Sequence, residues 1–578
     1  MKRETKPTMH GSGRIRLLSG LFFVLFAALI VRLSVLQVSS SSYYRGVAED
    51  QHAFFAQLAP ARGDIKITDQ LSPEPVPVAT NVEAPLVYVV PKEITNKTVA
   101  VQSLARALQL LEADVESRLQ NLEKVYVPLK RNITQTEQDA VKALALPGVY
   151  FDTEVTRFYP EHAFLSHVVG FLGYRDDSGS KKVGVYGLER KYEQILAGVP
   201  GAARSDSSLV RRWLFGNGTE FAPAKHGNQL LLTIDRSIQM QVERVLDKAV
   251  KDNLADSGCV VVMEPKTGAI LAMASNPSYD PNEYNKVPDQ AVFNSQCTST
   301  YEPGSVFKAV TMAAGVDEGL VGPDTTYTDT GSVVVDGYTI KNSDNKAHGV
   351  QTMTQVLEES LNTGVIFVQN KLGNGRFLDY VKRFGFGEVT GVDLPEMAGN
   401  LSNLKGNITV NYDTASFGQG VTVTPLQMVR AYAALANGGK MPVPYVVAAQ
   451  IASDGQTVQT QPKTEEVVSS KTAATVSAML VNVVEHGHGK RAGVKGYYVA
   501  GKTGTAQVSK KDGGGYDPDN NIGTFVGYAP VEDPKFVMLV RVNHPRTVQY
   551  AESTAAPAWG ELAQFILSYL NVPPTRGK

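Results

Sequence analysis

Three short motifs stand in order along this chain of 578 residues: Ser305-Val-Phe-Lys308, Ser360-Leu-Asn362 and Lys502-Thr-Gly504-Thr505. They supply a nucleophilic hydroxyl, two candidate proton carriers and a strand able to bind a carboxylate, the groups needed to form a covalent acyl intermediate on serine. In Ser305-x-x-Lys308 both side chains share one helix face, because residues three apart are neighbours there. Pro303 and Gly304 form the turn before it, so Ser305 is expected at a helix start, where the backbone dipole favours negative charge. Serine must give up its proton to react, and Lys308 is the candidate base. Lys308 acts only when neutral; a second ammonium from Lys502 and partial desolvation both lower its pKa as required.

Each motif has competitors. S-x-x-K occurs four times, and the copies at Ser178 to Lys181, Ser343 to Lys346 and Ser402 to Lys405 lie in Gly/Asp/Asn-rich, solvated stretches. Only Ser305 opens an apolar helix, with Phe307, Val310 and Met312 to bury it. Ser343-Asp344-Asn345 competes for the second place, but its composition is that of a loop. Ser360-Leu361-Asn362 instead follows a helical run through Met353, Val356 and Leu357, so Leu361 anchors inward while its neighbours point into a cleft. Gly496 to Thr503 matches G-x-x-x-x-G-K-[ST] letter for letter, which makes a nucleotide-binding protein the rival reading. A phosphate loop needs a strand before its first Gly and a helix opening at the Lys. Here 497–500 reads as a strand itself, and Gly504 and Thr505 are poor helix starters.

The elements around these motifs follow an α+β pattern from Leu230 onward. Strands are expected at 230–234, 259–263, 269–274, 497–500, 524–528 and 536–542, with helices at 237–250, 306–320 and 426–437. Strands at both ends with helices between predict one sheet covered by helices. Before this lies a mixed region with an expected strand at 86–90 and a helix at 99–122, where no chemistry is concentrated. Arg62-Gly63-Asp64 there is a turn, and Glu189 is an ion-pair partner.

Composition narrows the function further. With 43% apolar and 20% charged residues, and 56 basic against 57 acidic side chains, no excess charge draws the chain to nucleic acid. Its two cysteines, Cys259 and Cys297, allow one optional bridge. His486 and His488 resemble metal ligands, but flanking glycines and the lack of a third ligand make them a turn. No metal or cofactor is expected. At the amino end, Lys2, Arg3, Lys6, Arg14 and Arg16 precede an apolar stretch over 17–38, broken by Arg32 and of roughly the 20 residues a bilayer requires. The expected organisation is a cytoplasmic tail 1–16, a single transmembrane helix 17–38, a pedestal 39–227 and a catalytic domain 228–578 outside the membrane. A cleaved signal peptide is the alternative.

Beyond the three motifs, the chain carries Arg62-Gly63, Arg157-Phe-Tyr-Pro160, Gly187-Leu-Glu189, Thr233-Ile-Asp235, Tyr301-Glu-Pro-Gly304, Phe417-Gly-Gln-Gly420, Thr424-Pro425 and Ala500-Gly-Lys-Thr-Gly-Thr-Ala506. With these it resembles the class B penicillin-binding proteins, closest to the division-type peptidoglycan D,D-transpeptidases. The resemblance implies a non-catalytic pedestal, then a transpeptidase domain with an antiparallel sheet packed between helices. It implies that Ser305 attacks a D-Ala-D-Ala stem peptide, with an oxyanion hole from the backbone N–H groups of Ser305 and Thr505. Ser360 and Lys502 would relay the proton to the departing D-alanine, and Asn362 would bind the donor amide. Thr503 and Thr505 would hold the terminal carboxylate, and Gly504 would let the substrate backbone approach. A β-lactam would be trapped as the same ester. It also implies septal duty in a bacterial inner membrane, beside a SEDS-family glycosyltransferase and other divisome proteins. An elongation-type transpeptidase and a D,D-carboxypeptidase of the same fold are the alternatives.

Overall fold

A computed structural model of the chain describes residues 20–27, 30, 60–174, 182–205, 219–288, 295–510 and 515–576. It corrects the expected membrane helix. Residues 20–27 and 30 are helical and exposed, while the rest of 17–38 lies outside the described residues. Among the described residues no helix is long and apolar enough to cross a membrane. The single-pass anchor, and the inner-membrane placement inferred from it, are therefore not supported; the α+β character of the chain stands.

The chain divides into two compact units, one of Met1–Ala61 with Gly198–His226 and one of Arg62–Ala197 with Gly227–Lys578. Among its described residues the first holds a hairpin, Ala202–Ser205 against Thr219–Ala222. The second carries all three motifs.

In that second unit an 18-residue strand, Ser72–Val89, organises the region before the catalytic sheet. Its first half pairs with Ile65–Asp69, and its second half pairs with Val127–Arg131 on one side and Val149–Phe158 on the other. Helices Lys97–Leu108 and Gln135–Ala143 bury Leu104, Leu108 and Val141 against Val87 and Val89. The single helix expected over 99–122 is two, because Gln109 turns left-handed (φ 55°) before Glu112–Arg118 begins. Leucines continue the helical spacing through Leu111, so the break leaves no trace in the apolar pattern. Gln229–Asp235 pairs with Ile65–Asp69 and with Val447–Ile451, so residues on both sides of position 228 share one sheet. Glu189 is fully buried and receives Arg157 at 2.6 Å and Arg62 at 2.6 Å.

The catalytic sheet is built from β1 (Ser257–Met263), β2 (Ile270–Asn276), β3 (Ala500–Ser509), β4 (Tyr516–Ala529) and β5 (Phe536–Asn543), in the antiparallel order β2-β1-β5-β4-β3. Its strands are apolar on both faces because both are covered. Val260, Val262, Met538 and Val540 point to α1 (Arg236–Asp252) and α6 (Ala555–Tyr569). Cys259, Val261, Val526 and Leu539 point to α2 (Lys308–Asp317), α4 (Pro425–Ala436) and α5 (Ser470–Glu485). Between α2 and α4 in sequence runs α3 (Asn362–Leu372). Cys259 and Cys297 are buried free thiols. This arrangement leaves β3 at the sheet edge, beside the start of α2.

Candidate active site

The nucleophile turn is set by packing. Gly304–Phe307 makes one 3-10 turn that runs into α2, so the α-helix expected to open at Ser305 begins at Lys308. The turn is gripped from outside: Gly304 N–H donates to Gly418 O at 3.0 Å, and the Tyr432 hydroxyl donates to Val306 O at 2.8 Å. A Cβ on Gly418 would lie 2.3 Å from Gly304 O, so only glycine allows this contact. Ser305 is left half-buried and Lys308 fully buried.

Ser360 joins the three motifs. Its backbone is left-handed, φ 56°, at a cost of about 1–3 kcal/mol for a residue with a side chain. The kink separates helix Met353–Glu358 from α3 and aims the hydroxyl between the lysines. Ser360 Oγ accepts from Lys308 Nζ at 3.2 Å and from Lys502 Nζ at 3.0 Å. Lys308 also donates to the Ser360 carbonyl. Both Lys308 bonds thus go to Ser360, and among the described residues none goes to Ser305. In free enzymes such catalytic contacts often close only with substrate.

No carboxylate ion-pairs with either lysine among the described residues, and both are wholly buried. Burial brings Lys502 down to about 7. Burial, and then the Lys502 ammonium, drives Lys308 well below the ordinary lysine range. Lys308 is the amine that gives up its proton first.

Lys502, Thr503, Gly504 and Thr505 lie on β3. The strand expected at 497–500 begins at Ala500 and continues through the motif; Tyr497 to Val499 are irregular. No helix opens at Lys502, whose amine turns to Ser360, so Gly496 to Thr503 cannot cradle a phosphate. Gly504 lies against the turn that carries Ser305. A Cβ there would meet Val306 Cγ1 at 3.0 Å and Pro303 O at 3.1 Å, so the missing side chain admits the nucleophile turn. Gly504→Ala is expected to displace that turn by a few tenths of an ångström and slow Ser305 acylation roughly tenfold to a hundredfold, measurable with a chromogenic cephalosporin. Thr505 Oγ accepts from Ala551 N–H at 3.1 Å, which leaves its O–H free to donate. Thr503 is buried and accepts Lys502 Nζ through its carbonyl at 3.1 Å. Asn362 opens α3, and its side-chain amide donates to Lys341 O at 2.8 Å.

The competing motifs fall elsewhere. Ser343, Asp344 and Asn345 are exposed, as are Ser402 and Lys405, and Ser178 to Lys181 lie outside the described residues. His488 Nδ1 faces a Glu552 oxygen at 2.9 Å. Gly418, Tyr432 and Ala551, which brace the turn and strand, were not singled out by sequence reasoning. The first carries a signal, a glycine inside Phe417-Gly-Gln-Gly420; the other two carry none.

The chain is similar to known proteins over most of its length. Residues 258–564 match the penicillin binding protein transpeptidase domain, and residues 57–232 match the penicillin-binding protein dimerisation domain. Stage V sporulation protein D of Bacillus subtilis is 36% identical over 98% of this chain and 87% of its own length. Peptidoglycan D,D-transpeptidase FtsI of Escherichia coli is 29% identical over 99% of this chain and 94% of its own. The crystal structure of penicillin binding protein 3 from Mycobacterium tuberculosis complexed with aztreonam superposes with a TM-score of 0.69 at 28% identity, covering 90% of this chain and 98% of that one. The chain belongs to the penicillin-binding protein transpeptidase family, in its class B, division-type branch with a serine-type catalytic domain.

Proposed function

We propose that the chain is a division-type peptidoglycan D,D-transpeptidase that works through an acyl-enzyme on Ser305 and is trapped by β-lactams. The observation that carries this is the Ser360 hydroxyl bonded to two buried lysines of unequal acidity, at the foot of an edge strand packed on the nucleophile turn. Neutral Lys308 takes the Ser305 proton as Oγ adds to the carbonyl carbon of the penultimate D-alanine. Backbone N–H groups of Ser305 and Thr505 receive the oxyanion. The proton then passes from Lys308 through Ser360 to the amide nitrogen, with charged Lys502 holding Ser360 in place; the C–N bond breaks and D-alanine leaves. An amine from a second stem peptide next attacks the ester, its proton going to Lys308 and then back to Ser305. Thr503 and Thr505 hydroxyls hold the donor carboxylate, Asn362 orients the donor amide, and Gly504 keeps the strand against the turn.

Two opposed protonation states set the pH dependence. Lys308 must be neutral, so acylation rises as pH climbs through its depressed pKa. Lys502 must be charged, so acylation falls as pH passes about 7. The free-enzyme acylation constant k2/K for benzylpenicillin is expected to decline above that point. A profile that climbs steadily to pH 10 would contradict these roles.

The division 39–227 and 228–578 is part of this proposal and rests on the change of pattern at Leu230; partnership with a SEDS-family glycosyltransferase and other divisome proteins rests on the family resemblance. The reaction is tested with a pentapeptide ending in D-Ala-D-Ala and a D-amino acid acceptor. Release of D-alanine with exchange into the acceptor is expected; release by water alone would make the protein a carboxypeptidase.

A further inference from the structure

Helix α3 carries Asn362 at its first position, yet its N-cap residue, Leu361, has no side-chain oxygen to cap it. The cap comes from elsewhere. Asn342 Oδ1 accepts from Asn362 N–H at 3.0 Å and Thr363 N–H at 3.3 Å. Asn342 is itself buried, and its amide is held the right way round by Asp329: Asn342 Nδ2 donates to Asp329 Oδ2 at 2.9 Å. The same carboxylate accepts from His348 N–H at 2.9 Å, Gly331 N–H at 2.9 Å and the Thr363 hydroxyl at 2.8 Å. Four donors converge on a side chain only 2% exposed, and among the described residues no cation pairs with it. Burial pushes its pKa up, but the hydrogen bonds outweigh that and keep the carboxyl below its usual value. The charge therefore lies at the positive end of an 11-residue helix, where it is stabilised.

We propose that Asp329 is a positioning residue for the transpeptidase reaction, fixing Asn342 and through it the start of α3, and so the placement of Ser360 and Asn362. Three of the four groups facing Asp329 are N–H donors, and the Thr363 hydroxyl, which also lies 3.2 Å from Asn342 Oδ1, can donate or accept. An asparagine at 329 with its N–H2 toward Asn342 is relieved by a flip of Asn342, which turns its N–H2 toward Asn362 N–H and Thr363 N–H and removes the cap. Ser360 lies two residues before Asn362 in a strained conformation that its surroundings must hold. Loss of the cap frees it, and Ser360 loses its alignment with Lys308 and Lys502. Loop 341–349, which carries the exposed Ser343-Asp344-Asn345, then serves the site through the residue just before that tripeptide.

This inference rests on Ser305 being the acylated residue, and the test separates the two. Binding (K) and acylation (k2) by benzylpenicillin are measured on the full chain for wild type, Asp329→Asn, Thr363→Val and Thr363→Ser, with melting temperatures alongside. Unlabelled wild type would defeat the proposed function itself. With wild type labelled, Asp329→Asn is expected to lose at least thirtyfold in k2 with K within threefold. Thr363→Val, which removes one of the four donors, loses at least tenfold, and Thr363→Ser, which restores the hydroxyl, stays within threefold of wild type. A k2 within threefold of wild type for both Asp329→Asn and Thr363→Val overturns the inference. So does a loss confined to the labelled fraction with k2 unchanged, the pattern of a merely structural role. Should Asp329→Asn not fold, the Thr363→Val and Thr363→Ser pair decides alone.

Discussion

Ser305→Ala is expected to lower D-alanine release from a D-Ala-D-Ala peptide by on the order of 10⁴-fold or more, because the covalent route disappears and only binding and oxyanion stabilisation remain. The fold should survive. Ser305 is half-buried, and the turn around it is held by Gly418 and Tyr432 through backbone atoms the substitution leaves untouched. Retained binding of a D-Ala-D-Ala peptide with turnover lost is the expected combination. Turnover within tenfold of wild type would place the nucleophile elsewhere.

Lys308→Met is the second large effect and has a sign that distinguishes it from general damage. Methionine fills nearly the same volume without a basic nitrogen, so the general-base contribution, about 10²- to 10⁴-fold, is lost. Stability should move the other way. A lysine whose folded pKa is depressed takes up its proton more readily when unfolded, so it destabilises the fold below that folded pKa, and the penalty is relieved only as pH rises toward the unfolded value. Lys308 is wholly buried, with no ion-pair partner among the described residues. Removing the amine should therefore raise the melting temperature at pH 6 by about 2–5 °C, with the gain shrinking toward pH 10. A variant both slower and less stable at pH 6 would mean that Lys308 is held charged, against the proposed mechanism.

The candidate groups were easiest to place from sequence where covalent spacing fixes them: Ser305 and Lys308 lie within one turn, and Lys502 to Thr505 lie on one strand. What could not be read depends on groups far apart in the chain. The immediate partner of Lys308 is Ser360, 52 residues on, and the left-handed kink that aims it is one that serine adopts only under tertiary constraint. Asn342, next to Ser343-Asp344-Asn345, was not singled out, since nothing local says that its amide caps a helix twenty residues later. Gly504 was expected to admit the substrate backbone; its packing against the protein's own Pro303 and Val306 depends on tertiary structure and was not foreseen. The edge strand was placed three residues early because Tyr497, Tyr498 and Val499 have strand propensity, while the structure leaves them irregular before Ala500. Apolar length and a basic flank suggested a membrane helix over 17–38, but among the described residues no helix is long and apolar enough to cross a membrane.

The most direct test of the account is peptide mapping by mass spectrometry after brief exposure of folded protein to benzylpenicillin. We expect the full mass of the opened β-lactam on the peptide containing Ser305, absent from Ser305→Ala, and formed faster at pH 7 than at pH 9. Folded wild-type protein that gains no mass there, or gains it on another residue, contradicts the central claim.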